Sequence, residues 1–326
     1  MGRHPAFQTE IAPALSRLPL DPQRAVLFPG QGSQKVGMGK DLHRAFPAVR
    51  RLFDEADETL QMRLSAQCFQ GPGEALLLTE NAQPAILVVS LAYLLAAIET
   101  GLLSKCPNAV AGHSLGQYTA LVAAGSLQAA AAVRLVHERG KLMAAAGRQH
   151  PGGMAALLGL DEATVRDICG QTGTEPANYN GPTQIVVGGP PERVNAAMEA
   201  ARKAGGKALP VNVSGAFHTT LMQPAAAAFA EQIEAAEIHD PQVEVVSNVS
   251  ALPLADAAAI RKDLQDQLTS PVRWHQSVEF MMRRGVMTFM EAGPGRVLTA
   301  MLKRAAPDVT AIALDDHALV PAPSNV

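Results

Sequence analysis

The run Val110-Ala111-Gly112-His113-Ser114-Leu115-Gly116-Gln117 carries the clearest chemistry in this chain. It holds Gly-x-Ser-x-Gly, placed after a short apolar run and before a helical pattern. Two glycines allow a tight turn from strand into helix, because a Cβ at either position would crowd it. Such a turn presents the Ser114 hydroxyl and aims the unpaired N–H groups of a helix start at charge developing nearby. The plainer alternative is a Gly-rich turn whose serine only caps the helix. Serine is a weak nucleophile near neutral pH and needs a base. Of nine histidines, His218 has the most suitable setting, in a Gly-containing loop from Val213 to Thr219 that leads into a helix. A surface-loop histidine is its alternative. His113 adjoins Ser114, but neighbours in an elbow point different ways, so it is not the expected base. His4, His43, His137, His150, His239, His275 and His317 have no comparable setting.

A serine at such a turn needs a strand before it and a helix after it. Asn108 to Ala111 reads as that strand, and Leu115 to Ala124, closed by Gly125, as that helix. Arg24 to Phe28 reads as a short buried strand running into Pro29-Gly30-Gln31-Gly32-Ser33-Gln34, a loop of turn formers. Helices are expected over Asp41 to Thr59, Asn81 to Thr100 and Leu127 to Ala146. From Gly152 to about Val213 the order is strand, helix, strand, strand, helix, strand, with an Asn180-Gly181-Pro182 turn between the middle strands. That is the ferredoxin-like order. Strands at Val243 to Ser247, Thr288 to Glu291 and Thr310 to Leu314 then alternate with helices at Pro224 to Ala236, Ala255 to Leu268, Val278 to Arg284 and Arg296 to Ala305. The expected organisation is an extension over 1–23, a large catalytic part over 24–150 and 214–316, a small inserted part over 151–213 and a fraying tail over 317–326.

Composition removes several classes of function. With 326 residues, 48% hydrophobic and 17% charged, this is an alanine-rich globular chain. A net charge of −3, without a basic stripe interleaved with aromatics, argues against nucleic-acid binding. No run reaches the roughly 18 continuous apolar residues of a membrane span, and Met1 to Gln23 lacks the apolar core of a secretory signal. Cys68, Cys106 and Cys169 are scattered, with neither metal-ligand spacing nor a disulfide framework, so a reducing cytoplasm is expected.

Seven separated stretches occur in a telling order: Phe28-Pro29-Gly30-Gln31-Gly32-Ser33-Gln34, Gly112-His113-Ser114-Leu115-Gly116, Arg139-Gly140, Asn178-Tyr179-Asn180, Phe217-His218, Gln267 through Pro271, and Glu291-Ala292-Gly293-Pro294-Gly295. In these the chain resembles the malonyl-CoA:acyl carrier protein transacylase family, which includes the acyltransferase domains of fatty acid and polyketide synthases. The resemblance runs from about Ala25 to Leu314. It implies an α/β-hydrolase-like parallel-sheet domain with a nucleophile elbow and an inserted ferredoxin-like subdomain. It implies an S-malonyltransferase activity in which Ser114 is acylated by malonyl-CoA and His218 acts as base. The acyl group then passes to the phosphopantetheine thiol of an acyl carrier protein.

The resemblance further assigns the oxyanion hole to the N–H groups of Gln31 and Leu115, and the malonyl carboxylate to Arg139. A guanidinium fork matches a carboxylate bidentately. The apolar flanks of Arg139, Ala131 to Val136 and Leu142 to Ala146, suit a buried arginine rather than a solvated one. A carbonyl at Gln267 would orient His218. Phe217, within Ala216-Phe217-His218, resembles the malonyl-type signature, a bulky ring that crowds an α-methyl branch; core packing is its alternative. Asn180 is expected to line the cleft or form a turn, and His113 is grouped with the substrate wall. Gln117 departs from the family, in which many members have Glu. Arg202, Lys203, Lys207, Arg283 and Arg284 are candidate guides for an acidic carrier protein. The expected enzyme is monomeric and needs no metal or redox cofactor. An acyl hydrolase that clears carrier proteins is the alternative function, and it has no use for a carboxylate clamp at Arg139.

Overall fold

In the computed structural model, residues 11–314 and 319–320 are described. Two sheets organise the chain. The larger comprises β1 (Leu20–Phe28), β2 (Cys106–Gly112), β7 (Glu244–Val246), β8 (Thr288–Glu291) and β9 (Thr310–Ala313), and the smaller β3 (Gly153–Leu158), β4 (Glu175–Gly181), β5 (Gln184–Gly189) and β6 (Lys207–Val211). The larger has the order β7-β2-β1-β8-β9 and every pairing in it is parallel. Ala25, Val26, Leu27 and Phe28 are all fully buried. A parallel strand covered by helices on both faces reads as a continuous apolar run, as this one does. Because β1 and β2 are neighbours, with Phe28 opposite Gly112, the loops after them emerge side by side at the carboxyl edge. That edge, where strand order reverses, is where open α/β sheets bind ligands.

The smaller sheet is antiparallel, in the order β4-β5-β3-β6. Helices Glu162–Thr172 and Pro191–Lys203 lie within this unit and share an apolar core with it through Val165, Ile168, Val194 and Ala197. Asp161 caps the first helix by accepting from the Thr164 N–H at 2.8 Å. The order of elements is the ferredoxin-like one. Between the two sheets, Tyr179 N–H donates to the Val272 carbonyl and Val272 N–H to the Ala177 carbonyl, which ties β4 to the large part next to the cleft.

Several expectations need correction. The turn between β4 and β5 falls at Pro182 and Thr183, so Asn180 lies in a strand. The helix expected over Asp41 to Thr59 is two, Lys40–Ala45 and Pro47–Leu60. Phe46 between them is extended (φ −115°, ψ 116°), as the residue before a proline prefers. The supposed extension is structured from Ile11: helix Ile11–Ser16 buries Ile11, Ala12 and Leu15, and β1 starts at Leu20. Residues 1–10 and most of the 317–326 tail lie outside the described residues, but Leu319 is fully buried in the main core. Helix Trp274–Arg283 starts a turn earlier than expected, where it buries Trp274. Helix Thr79–Glu99 is long and apolar enough to cross a membrane by length and composition, yet it is largely packed inside the protein.

Candidate active site

The tightness of the Ser114 turn is imposed by its surroundings. A Cβ on Gly112 would fall 1.9 Å from the Gly116 carbonyl group, and one on Gly116 would fall 2.1 Å from the Phe28 carbonyl oxygen. Both contacts are with backbone, which cannot give way. Ser114 itself takes φ +51°, a left-handed conformation disfavoured for any residue with a Cβ. Asn248, just after β7, holds that conformation. Its Oδ1 accepts from Ser114 N–H at 2.7 Å and its Nδ2 donates to the Gly112 carbonyl at 2.7 Å. The N–H of Leu115 opens helix Gly116–Ala123, and neither it nor that of Gln31 has a hydrogen-bond partner among the described residues. Gly30, two residues after β1, is where the loop meets the elbow: a Cβ there would lie 2.5 Å from the His113 carbonyl oxygen.

Ser114 Oγ lies 2.7 Å from His218 Nε2. On the other side of the ring, His218 Nδ1 is 2.9 Å from the Gln267 carbonyl oxygen. A carbonyl only accepts, so Nδ1 carries the proton and Nε2 presents a lone pair to the serine. His218 is buried, and burial first, then the positive charge of Arg139, pushes its pKa down to about 3. It is a neutral imidazole throughout the physiological range. It too has positive φ, +62°. Two strained non-glycine residues meeting at one hydrogen bond mark a functional site more than a structural one.

Arg139 sits in helix Ala129–Gln149 and is 1% exposed. Its Nη1 donates to Gln83 Oε1 at 2.8 Å; its Nη2 donates to Gln267 Oε1 at 3.0 Å and Ser114 Oγ at 3.2 Å. Its guanidinium carbon stands 5.5 Å from the centre of the Tyr118 ring. All these partners are neutral. Among the described residues Arg139 forms no ion pair with a carboxylate. A buried cation that lacks an anion is costly, and burial pushes its pKa down.

A cleft of about 280 Å³ opens over this group. Gln31, His113, Ser114, Leu115, Arg139, Asn180, Phe217 and His218 all line it. Asn180 Oδ1 holds His113 Nε2 at 2.8 Å across the gap between the two parts, so neither residue is the free turn or bystander that sequence allowed. The Gln267 carbonyl orients His218 as expected, but the residue is fully buried and does not line the cleft, so it does not belong with the substrate-binding residues. Its contacts are with His218, Arg139 and the Ser114 carbonyl, the last at 3.0 Å from Nε2. Arg283 and Arg284 are also misplaced as docking guides. They pair with Glu279 and with Glu244 at the amino end of β7, the sheet edge away from the cleft. Gln83 and Asn248 escaped the sequence reading. The Asn248 that clamps the elbow stands in a plain Ser-Asn-Val-Ser stretch, and only the fold brings it to Gly112. Gln83 stands just before the long apolar run Ala85–Val89 of helix Thr79–Glu99, a buried polar position that could have been flagged. Among the described residues no three His, Cys, Asp or Glu side chains gather as a metal-ligand set.

An α/β sheet with a strained serine on an elbow, a neutral histidine within hydrogen-bond reach and free N–H groups beside it defines a nucleophilic acyl-transfer centre. The chain matches the acyl transferase domain family over residues 26–322 and belongs to that family. It is 46% identical to the malonyl CoA-acyl carrier protein transacylase of Bacillus subtilis (strain 168), over 90% of this chain and 93% of that one. Among solved structures it resembles an acyl carrier protein S-malonyltransferase from Vibrio cholerae, with TM-score 0.87 and 38% identity over 91% of this chain and 98% of that one. It is equally similar, with TM-score 0.87 and 43% identity over 91% and 97%, to a malonyl-transacylase in complex with its type II polyketide synthase acyl-carrier protein.

Proposed function

We propose that this enzyme transfers malonyl from malonyl-CoA to the phosphopantetheine thiol of an acyl carrier protein. The observation that carries the reading is Arg139: a buried guanidinium without a carboxylate partner, 3.2 Å from the nucleophile. An acyl group with a free carboxylate supplies the missing anion and is thereby selected over simple acyl chains. A hydrolase of unbranched acyl groups would leave Arg139 unpaired, which disfavours that alternative. The names of the relatives agree with the transferase reading.

The residues divide the work as follows. Ser114 Oγ attacks the thioester carbonyl while its proton passes to His218 Nε2. The carbonyl oxygen, now negative, is held by the N–H groups of Gln31 and Leu115. Such donors are typically worth about 2.7–4 kcal/mol each in the barrier. The Ser114 N–H is already taken by Asn248, so it is not one of them. Collapse breaks the C–S bond, and the CoA thiolate leaves with the proton held by His218. The pantetheine thiol then gives its proton to His218, attacks the malonyl ester and restores Ser114. Once the malonyl carboxylate covers Arg139, the charge that depresses His218 is offset, so substrate binding makes the base more basic. Phe217 beside His218 narrows the space for an α-branch. An adjoining groove of about 460 Å³ shares Ala156, Asn180, Gln184 and Met301 with the cleft and suits the pantetheine arm. The reading takes the enzyme as a monomer and as cytoplasmic, the compartment being in keeping with three free, buried cysteines, and the chemistry calls for no metal or redox cofactor.

The test is the intact mass of the protein after brief mixing with malonyl-CoA, then with a phosphopantetheinylated carrier protein. A malonyl-sized adduct that requires Ser114 and moves to the carrier is expected. Release of free acid from acyl-loaded carriers, without a malonyl adduct, would refute the proposal.

A further inference from the structure

Behind the elbow lies a second buried charge that the chemistry above leaves unused. Asp263, in helix Ala257–Gln267, is 6% exposed. Among the described residues it joins no ion pair. Its Oδ2 accepts from Gln117 Nε2 and its Oδ1 from the Ser247 hydroxyl. Gln117 lies in the first turn of the elbow helix, fully buried, and its Oε1 accepts from Asn248 N–H at 2.8 Å. Asn248 in turn clamps Ser114 N–H and the Gly112 carbonyl. Hydrogen bonds therefore run without interruption from a buried carboxylate to the backbone of the nucleophile.

The direction of each bond in this chain is determined. A carboxylate only accepts, so Gln117 must turn its amino group to Asp263 and its oxygen to Asn248 N–H. The flipped amide would set donor against donor at Asn248. Ser247 Oγ already accepts from Val249 N–H at 3.0 Å and Ser250 N–H at 2.9 Å, so its hydroxyl hydrogen must go to Asp263. With both Asp263 oxygens engaged, Gln117 has one orientation, and Asn248 is pinned through its backbone.

We propose that Asp263 is a positioning residue for the reaction: through Gln117 and Asn248 it holds the Ser114 turn in its strained conformation, leaving the Leu115 N–H open to the substrate oxygen. The inference rests on Ser114 being the acylated nucleophile, but not on malonyl being the acyl group. It predicts an exchange of partners. Gln117→Glu alone sets two carboxylates against each other, which must then share a proton. Asp263→Asn alone offers one acceptor where two donors converge. Together, Q117E/D263N satisfies every group again. The amide introduced on the helix accepts from Ser247 and donates to the carboxylate introduced on the elbow, and that carboxylate accepts from Asn248 N–H.

The experiment measures phosphonylation of Ser114 by a fluorophosphonate, followed by intact mass. Ser114 Oγ forms the P–O bond, fluoride leaves and His218 takes the proton, so no malonyl recognition is involved. Each single variant should react at least about ten-fold more slowly, the cost of one unsatisfied buried partner. The double variant should return to within about three-fold of the parent. With malonyl-CoA, kcat should follow the labelling rate while KM stays constant. The deficit of Q117E should deepen as pH rises and the shared proton is lost. The other titratable groups bearing on Asp263 are Asp266 on its own helix and Tyr118 on the elbow helix, with Arg139 beyond Tyr118. Folded single variants that label at the parental rate, or a double variant worse than either single, would overturn the proposal. Should the singles fail to fold, a folded and reactive double variant supports it, and an unfolded or unreactive one overturns it. A parent that the probe does not label at Ser114 overturns the acyl-enzyme reading as well.

Discussion

Replacing Arg139 by alanine isolates the carboxylate clamp from everything else the residue does. The guanidinium holds Gln83, Gln267 and the Ser114 hydroxyl, so its loss leaves amide oxygens unpaired and a void behind the nucleophile. Those penalties fall equally on every acyl donor. What falls on malonyl alone is the loss of the cation that meets its carboxylate in a water-poor cleft. Breaking a buried charge pair from one side costs about 3–5 kcal/mol. At about 1.4 kcal/mol per factor of ten, that is roughly two to three and a half orders of magnitude in kcat/KM. A second effect has the opposite sign. Arg139 is the largest charge depressing the His218 pKa, so its removal makes the base stronger for any donor, and acetyl-CoA gains from that. The readout is the ratio of Ser114 loading rates with malonyl-CoA and acetyl-CoA, by intact mass in single-turnover mixing. The ratio should fall by at least about a hundred-fold on Arg139→Ala. Equal loss on both donors would refute the clamp, and with it the selection of malonyl.

Other consequences are open to measurement. Gln83→Glu gives Arg139 a resident anion; malonyl loading should drop about ten- to a hundred-fold while acetyl loading is undiminished, and undiminished malonyl loading would contradict the competition. The folded pKa of His218 is depressed, to about 3, so between the usual histidine value and that one only the unfolded chain binds the proton. Its stabilising contribution is complete above about pH 6.5 and is lost as pH falls toward 3; denaturant titrations of parent and His218→Gln should diverge in that window, the parent losing more. Over the same window the acid limb of Ser114 loading should lie well below pH 6.5, and a limb at the ordinary imidazole value would show a solvated base. Gly116→Ala places a methyl group 2.1 Å from the Phe28 carbonyl oxygen and should cost about 3 kcal/mol in chemical unfolding, the upper end for overpacking; a parental midpoint would mean that the β1–elbow contact is loose.

How far the sequence foretold this arrangement depended on whether the determinant was local. The elbow was legible because its requirements are: two glycines, a serine, an apolar strand before and a helix after. The ferredoxin-like order of the inserted unit was legible from alternating apolar runs and turn formers, and Lys207–Val211 ends where the pattern ends. Failures arose where distant packing decides. Residues 11–16, Ile-Ala-Pro-Ala-Leu-Ser, are too short and too proline-interrupted to show a helical period, but three of them are buried against the core. Asn180 precedes Gly181 and reads as a turn, yet its side chain is taken by His113 from another part of the chain. Asn248 and Asp263 carry no local signal, because their function is to meet residues more than 130 positions away.

Both buried charges near the nucleophile, Arg139 and Asp263, stand on neutral partners rather than on each other. Tyr118 feels both, so the two are close enough to matter, yet Gln117 takes Asp263 while Gln83 and Gln267 take Arg139. Had the pair closed into a salt bridge, each charge would be better compensated in the empty enzyme and Arg139 would have nothing left for a substrate carboxylate. Insertion of amides keeps the negative charge committed to the backbone of the turn and the positive charge facing the cleft. The enzyme tolerates an under-compensated guanidinium until substrate arrives, and binding an anion there at once relieves that cost and raises the proton affinity of the base. Glutamines at 83, 117 and 267 are therefore as much part of the charge design as the ionised residues they separate: an acidic residue at 83 closes the clamp, and one at 117 forces a proton into the support of the elbow.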